Sequence, residues 1–413
     1  MLKKKNTNFH LSFLILFIFT LLLTPSGRLL YFEFEESSFL KLLFNSYIYI
    51  TLFFLPFTYF KLIDQFFEKK IRIIFYIIIF YSFLKIVSSM DQLSMYISIF
   101  GNPHFGPIFF VPLFLLWGTQ VNSIYWFNKI SLLSIKIGIL LTPICLIFSI
   151  PLPISAFLPT YYILSGFNYV PIKDKIWIIL GIIVSFYCFI ESGYRSGIVM
   201  LLLSLLIFFI IKINIKRLNK IVIILLFLIP FVIFYVQFYG EDSIFTIVAS
   251  YFASDSIWAV DTRTIIGKDV MFDLVKNQKL LFGKGPLGTY YNEYFDKLQN
   301  FYTAFRGRDE QAFRSTSEIG ILHYLIKGGM FYIFLIFIIS LLTSLNANNQ
   351  SKNDYIKYLA LYLAVYFMFS AIENPPLYSF KHVSMWIIMA ICASKLFLNL
   401  KNSEIKELIA YKT

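Results

Sequence analysis

The sequence specifies an all-α integral membrane protein with about twelve transmembrane helices and one large external loop, and three of its features say so. Hydrophobic residues fill 58% of the 413 positions and charged residues 14%, more apolar side chain than one soluble core of this length needs. The apolar runs are continuous and about 20 residues long, the length at which a helix, unlike an alternating barrel strand, crosses a hydrocarbon layer of roughly 30 Å. The net charge of +13 sits in short basic runs between them: Lys3-Lys4-Lys5, Lys69-Lys70-Ile71-Arg72, Lys212 to Lys220 and Lys401 to Lys412. Such runs mark cytoplasmic loops against anionic lipid, which accounts for the charge without nucleic acid.

In chain order, residues 9–25 follow the three lysines with no Ala-x-Ala cleavage site, so they read as an uncleaved first helix. Further spans are expected at 38–58, 72–89, 107–122, 130–150, 176–192, 197–212, 221–239, 320–344, 357–372 and 383–399. Basic termini on the cytoplasmic side demand an even number of crossings, and the missing one is placed at 151–172, an apolar stretch interrupted by prolines and Gly166. Broken backbone at membrane depth is tolerated only against protein or a watery cavity, so this segment should line a pocket. The chain then divides into an N-terminal bundle of about nine spans over 1–239, an external loop domain over 240–319, and transmembrane helices with a cytoplasmic tail over 320–413. The loop carries 11 acidic and 9 basic residues, without the basic excess of a cytoplasmic segment. A label at Asn292 should be reached from outside and one at Asn219 should not. Loops this long usually carry function, and a helix is expected within it from Asp261 to Lys276. Cys145, Cys188 and Cys392 all fall in apolar segments and read as small core residues, implying neither a disulfide framework nor a metal.

Two arginines stand out. Arg195 lies in the external turn Glu191-Ser-Gly-Tyr-Arg195-Ser-Gly, where a guanidinium reaches a lipid diphosphate or snorkels to headgroups, and Gly193 and Gly197 permit close approach. Arg263 opens the loop helix as a second anion ligand. The glycine turn Gly283-Lys284-Gly285-Pro-Leu-Gly288 matches dinucleotide-binding spacing, but that fingerprint has meaning only between a strand and a helix of a soluble α/β unit. Here it is either a tight structural turn or one whose N–H groups face a phosphate or sugar. Arg306, Arg308 and Arg314 add positive charge before Glu318, which stands where the loop re-enters the membrane. Glu318 serves the helix dipole or acts as a base, with Asp309, Glu310 and His323 as reserves. His323 fits a core histidine as well as a proton shuttle. Ionisable residues within spans usually face a cavity or partner, which singles out Lys85, Glu191 and Glu373.

Taken together over about 175–345, these features resemble the O-antigen polymerase (Wzy-type) and O-antigen ligase superfamily. The points of likeness are the arginine turn at Arg195, a large loop opening with Arg263, the Gly283-x-Gly285 turn and a re-entering helix with Gly328-Gly329. The resemblance implies glycosyl transfer at the external face of the bacterial inner membrane, between undecaprenyl-diphosphate-linked oligosaccharides, without a cofactor or metal. Arg195 and Arg263 would hold the donor diphosphate and Gly283 and Gly285 would shape the loop against it. Glu318 would orient or deprotonate the acceptor hydroxyl, and lipid, a flippase and a chain-length regulator would be the partners. The ligase-type histidine is missing, its window holding Ser317 and Glu318, which favours a polymerase over a ligase. A transporter of lipid-linked sugars is the reading from another class, and the lack of paired halves with broken helices weighs against it.

Overall fold

The structure, a computed structural model, describes residues 63–89, 106–147, 157–191, 195–212, 216–239, 262–292, 313–315, 317, 319–370 and 380–410. They are mostly helical: α1 (Lys69–Val87), α2 (a helical run over 107–118 with a tight turn at Val111–Phe114), α3 (Ser123–Ile147) and α4 (Phe157–Tyr161). A π-helical turn, Tyr162–Gly166, continues α4, and α5 (Ile172–Glu191), α6 (Arg195–Lys212) and α7 (Lys216–Tyr239) follow. The loop contributes α8 (Thr262–Lys276) and a two-residue ladder, β1 (Tyr290–Tyr291) antiparallel to β2 (Phe313–Arg314) with Tyr290 opposite Arg314. The chain then runs through α9 (Gly320–Gln350), α10 (Asp354–Ser370), α11 (Phe380–Ala393), α12 (Lys395–Asn399) and α13 (Asn402–Ala410). The expected spans at 9–25 and 38–58 lie outside the described residues.

Among the described residues three helices are long and apolar enough to cross a membrane, over Ser123–Pro143, Arg217–Tyr235 and Gly320–Gln350. Shorter apolar helices accompany them at Ile108–Gly118, Ser196–Ile210 and His382–Ala393. Large apolar side chains also face outward, among them Phe80 and Phe83 on α1, Ile183 and Ile190 on α5, Leu206 and Phe209 on α6, and Leu225 and Val232 on α7. Such a surface is stable against lipid and aggregates in water, so the chain is an α-helical membrane protein. Its centre is α10, buried at every position from Leu359 to Phe369, with α6, α7, α9, α11 and the π-turn packed around it. A helix that is apolar all round has no solvent face to offer and belongs in the middle.

One departure from the sequence reading concerns helix ends. The expected spans 107–122 and 130–150 meet instead at a turn over 119–122, because Ser123-Ile-Tyr-Trp-Phe-Asn128 joins α3 and lengthens it to 25 residues. At about 18 Å, α2 is too short to cross a bilayer by itself. Of the segment 151–172 the described part, from Phe157, runs through α4 and the π-turn to Gly166 and is tied down by polar contacts. Tyr161 Oη donates to Asn128 Oδ1 (2.6 Å), Asn128 Nδ2 donates to Tyr355 Oη (3.1 Å), and the Tyr355 hydroxyl closes the ring on Tyr161 Oη (2.8 Å). The three side chains are buried on α3, α4 and α10, and the ring satisfies them without water.

Tertiary contacts sort the helix termini into two ends. At one, Gln350 bonds Glu68 (2.8 Å), Asn353 bonds the carbonyls of Phe397 and Leu400 (each 2.9 Å), and Asn402 joins Asp354 to Tyr169. Lys69, Lys70, Arg72, Lys352, Lys357 and Lys401 lie on these termini, so this is the basic end. The other end holds α8 and the glycine turn. Ile266, Val270 and Leu274 of α8 pack with Tyr290 and with Ile319, Leu322, Leu325 and Ile326, a core separate from that of the bundle. With 31 residues α9 is about 46 Å long, and the stretch from Gly329 to Gln350 alone is about 31 Å, a bilayer's thickness. The upper part of α9, residues 320–328, thus belongs with the loop.

Candidate functional site

The loop and the bundle meet at a break in α9. Gly329 has φ 73° and ψ −179°, a conformation reserved for glycine, and it splits the helix into an upper half ending at Gly328 and a lower half starting at Met330. A split helix leaves carbonyls unpaired above the break and N–H groups unpaired below it. The glycine turn supplies both sets of partners. The N–H groups of Lys284 and Gly285 donate to the carbonyls of Ile326 (2.7 Å) and Lys327 (2.9 Å). Those of Met330 and Phe331 donate to the carbonyls of Leu280 (3.0 Å) and Leu281 (3.1 Å). Tyr81 Oη of α1, 2.9 Å from the Phe282 carbonyl and 2.7 Å from that of Gly328, shares its proton between them.

Gly283 (φ +67°) and Gly285 (φ +85°) give the turn its shape. A Cβ on Gly283 would stand 2.5 Å from Gly329 N and 2.6 Å from the Lys327 carbonyl oxygen, so backbone passes against backbone here. Fully buried Lys327 extends its ammonium to the carbonyls of Pro286 and Gly288, 2.8 Å each. Lys284 pairs with Asp273 of α8 (2.5 Å) and donates to the Thr289 carbonyl (2.7 Å). Lys85 stands above the Tyr81 ring, 5.7 Å from its centre, near Lys279.

Of the two readings of the glycine turn, this geometry favours the tight structural one. The N–H of Gly283 bonds the Lys279 carbonyl and that of Gly288 bonds the Gly285 carbonyl, so the amides of Gly283, Lys284, Gly285 and Gly288 are all spent inside the chain. Gly283, Gly285 and Lys284 join loop to membrane helix instead. Arg195 is the first residue of α6 and Arg263 the second of α8, so each stands in the opening turn of a helix. α5 begins near the basic end and runs about 30 Å, which brings Glu191 and the start of α6 to the end where α8 lies. Glu191 closes α5, exposed. Arg314 is partly exposed on β2, and His323 is buried in the upper half of α9. Arg306, Arg308, Glu318 and Glu373 lie outside the described residues.

Several residues at this end escape a reading by sequence: Tyr81, Lys327 and a buried trio on three helices. Tyr324 Oη lies 2.5 Å from His382 Nε2, and Tyr366 Oη lies 3.4 Å from His382 Nδ1. Tyr324 also lines an apolar crevice with Ile321, Ile333, Ile336, Phe367 and Met385, beside the break. Only Lys327 carries a signal in the sequence, a charge between apolar residues and a glycine pair. Among the described residues no group of three His, Cys, Asp or Glu could hold a metal. The chain matches no known family, no characterised protein and no solved structure.

Proposed function

We propose that the chain is a polymerase of polyprenyl-diphosphate-linked oligosaccharides, acting at the external face of a bacterial plasma membrane in O-antigen or capsule synthesis. The observation that carries this reading is the placement of Arg195 and Arg263 in the first turns of two helices at one end of the bundle. Unpaired N–H groups and the positive end of a helix dipole attract anions, and a guanidinium binds diphosphate in a forked geometry, so each opening turn suits a phosphate. In the reaction an acceptor sugar hydroxyl attacks the anomeric carbon of the donor. The bond from that carbon to the diphosphate breaks, Glu318 takes the hydroxyl proton, and polyprenyl diphosphate leaves with its charge held by the arginines.

About twelve crossings, cytoplasmic termini and an external 240–319 loop complete the proposal. The basic end then faces the cytoplasm and the glycine turn lies at the outer surface. Undecaprenyl-linked glycan, membrane lipid, a flippase and a chain-length regulator are its partners. Deleting the gene should leave surface glycan as a single repeat, whereas accumulation of unattached polymer would identify a ligase. Replacing either arginine by lysine keeps the charge and loses the fork. Arg195→Lys and Arg263→Lys are each expected to cut polymer at least tenfold at unchanged protein abundance, and full-length polymer from both would refute diphosphate binding.

The orientation has its own test. Asn292 and Asn219 are both buried and unsuited to labelling, but Val275 on α8 and Lys406 on α13 are exposed. With the native cysteines replaced by alanine, an impermeant thiol reagent on intact cells is expected to label Val275→Cys and spare Lys406→Cys. The opposite pattern inverts the topology.

A further inference from the structure

We infer that Lys327 is a positioning residue, holding the loop helix that carries Arg263 at a fixed place over the membrane helices, an inference that rests on the polymerase reading above. A fully buried lysine in an apolar helix is costly unless its ammonium has strong partners. Lys327 has the carbonyls of Pro286 and Gly288, and it sits at the end of the upper half of α9, where the helix dipole is negative and favours a cation. The turn that it grips joins directly to α8. Gly283 N–H bonds the carbonyl of Lys279, three residues past the end of α8, and the Lys284 ammonium returns to Asp273 on that helix. From Lys327 to α8 there is therefore a continuous path of short polar contacts with no flexible linker in it. On the opposite side Tyr81 ties the same turn to α1. Arg195 belongs to the bundle and Arg263 to the loop, so the distance between them depends on this joint together with the apolar packing of α8 on α7 and α9. A diphosphate bound by both needs it fixed, since misplacing a binding group by about 1 Å costs on the order of 10²-fold in rate.

The test uses the full chain with its cysteines replaced by alanine and two new ones, Leu281→Cys and Met330→Cys. Both positions face outward, and the bonds from the Met330 N–H to the Leu280 carbonyl and from the Phe331 N–H to the Leu281 carbonyl hold the two backbones side by side across the break. With Lys327 present the pair should oxidise readily in membranes. Lys327→Met, similar in length and without donors, should slow oxidation at least tenfold and cut polymer at least tenfold at equal abundance. Oxidising the pair should restore polymer in the Lys327→Met chain, and reduction should remove it again, a reversal that a folding defect would not show. Equal oxidation rates with and without Lys327 overturn the latch. Normal polymer despite slowed oxidation, or a disulfide that forms without restoring polymer, overturns the positioning role. If deleting the gene leaves polymer unchanged, the polymerase reading and the role toward Arg263 both fail, while the oxidation rates still decide whether Lys327 holds the loop. Should Lys327→Met not reach the membrane, Lys327→Gln, whose shorter amide spans at most one of the two carbonyls, replaces it under the same criteria.

Discussion

Gly329→Ala is expected to undock the glycine turn and α8 from the membrane helices. At φ 73° and ψ −179° an alanine is strained by about 1–3 kcal/mol before any contact is considered. Its Cβ would also meet Gly283 N and the Leu281 carbonyl oxygen, and neither can yield without breaking a bond of the joint. The break then closes toward regular helix or the turn lifts away. Lifting exposes the N–H groups of Met330 and Phe331 and the carbonyls of Ile326, Lys327 and Gly328, each worth about 1–3 kcal/mol when buried without a partner. In the cysteine pair at positions 281 and 330, oxidation should fall at least tenfold in Gly329→Ala, and polymer should be lost with it. Gly283→Ala violates the same contact from the other side, so the double variant should be hardly worse than either single one. Wild-type oxidation in Gly329→Ala would mean that the joint is not built as described.

Why the break is invisible to a sequence reading follows from its physics. Hydropathy runs on across Leu325-Ile-Lys-Gly-Gly-Met330-Phe, and a glycine pair inside an apolar helix is tolerated at modest cost. What opens the helix is a partner more than forty positions away, and nothing local announces it. The same distance explains why the glycine turn looked like a ligand loop: its spacing indicates left-handed backbone and close approach, but not what approaches. Helices are another matter. The signals of the loop helix are local, so the expected helix from Asp261 to Lys276 agrees with the observed Thr262–Lys276 over the described residues. The end of the helical run at Gly166 is equally local, since glycine and the following Pro171 write it into the chain, whereas the Asn128–Tyr161–Tyr355 ring beside it joins residues far apart. For the candidate site, residue type marked Arg195 and Arg263. It could not mark Tyr81, one tyrosine among 28, whose importance lies in the two carbonyls within its reach.

Glu318→Gln separates a catalytic carboxylate from a helix-end charge. α9 starts at Gly320 with no side-chain cap at Ile319 and no acidic residue in its first turn, while Ser317 Oγ takes the Ile319 N–H. A negative charge just ahead of such a helix favours its dipole by about 0.3–1 kcal/mol, which is the whole of the electrostatic alternative. Glutamine keeps the shape and an acceptor oxygen and loses only the charge and the basicity. If the dipole is all that matters, the variant gives up at most that much stability and polymer is made at the normal rate. If Glu318 takes the proton from the acceptor hydroxyl, abundance stays normal and the rate falls by roughly 10²–10⁴. The second outcome is the one expected on the polymerase proposal, in which the arginines stabilise the departing diphosphate and the proton on the attacking hydroxyl still needs a group. A rate measured in membranes with normalised protein decides between them. A normal rate from Glu318→Gln would pass the role to Asp309, Glu310 or His323, of which His323 is the one the structure places, buried in the upper half of α9 within one turn of Lys327.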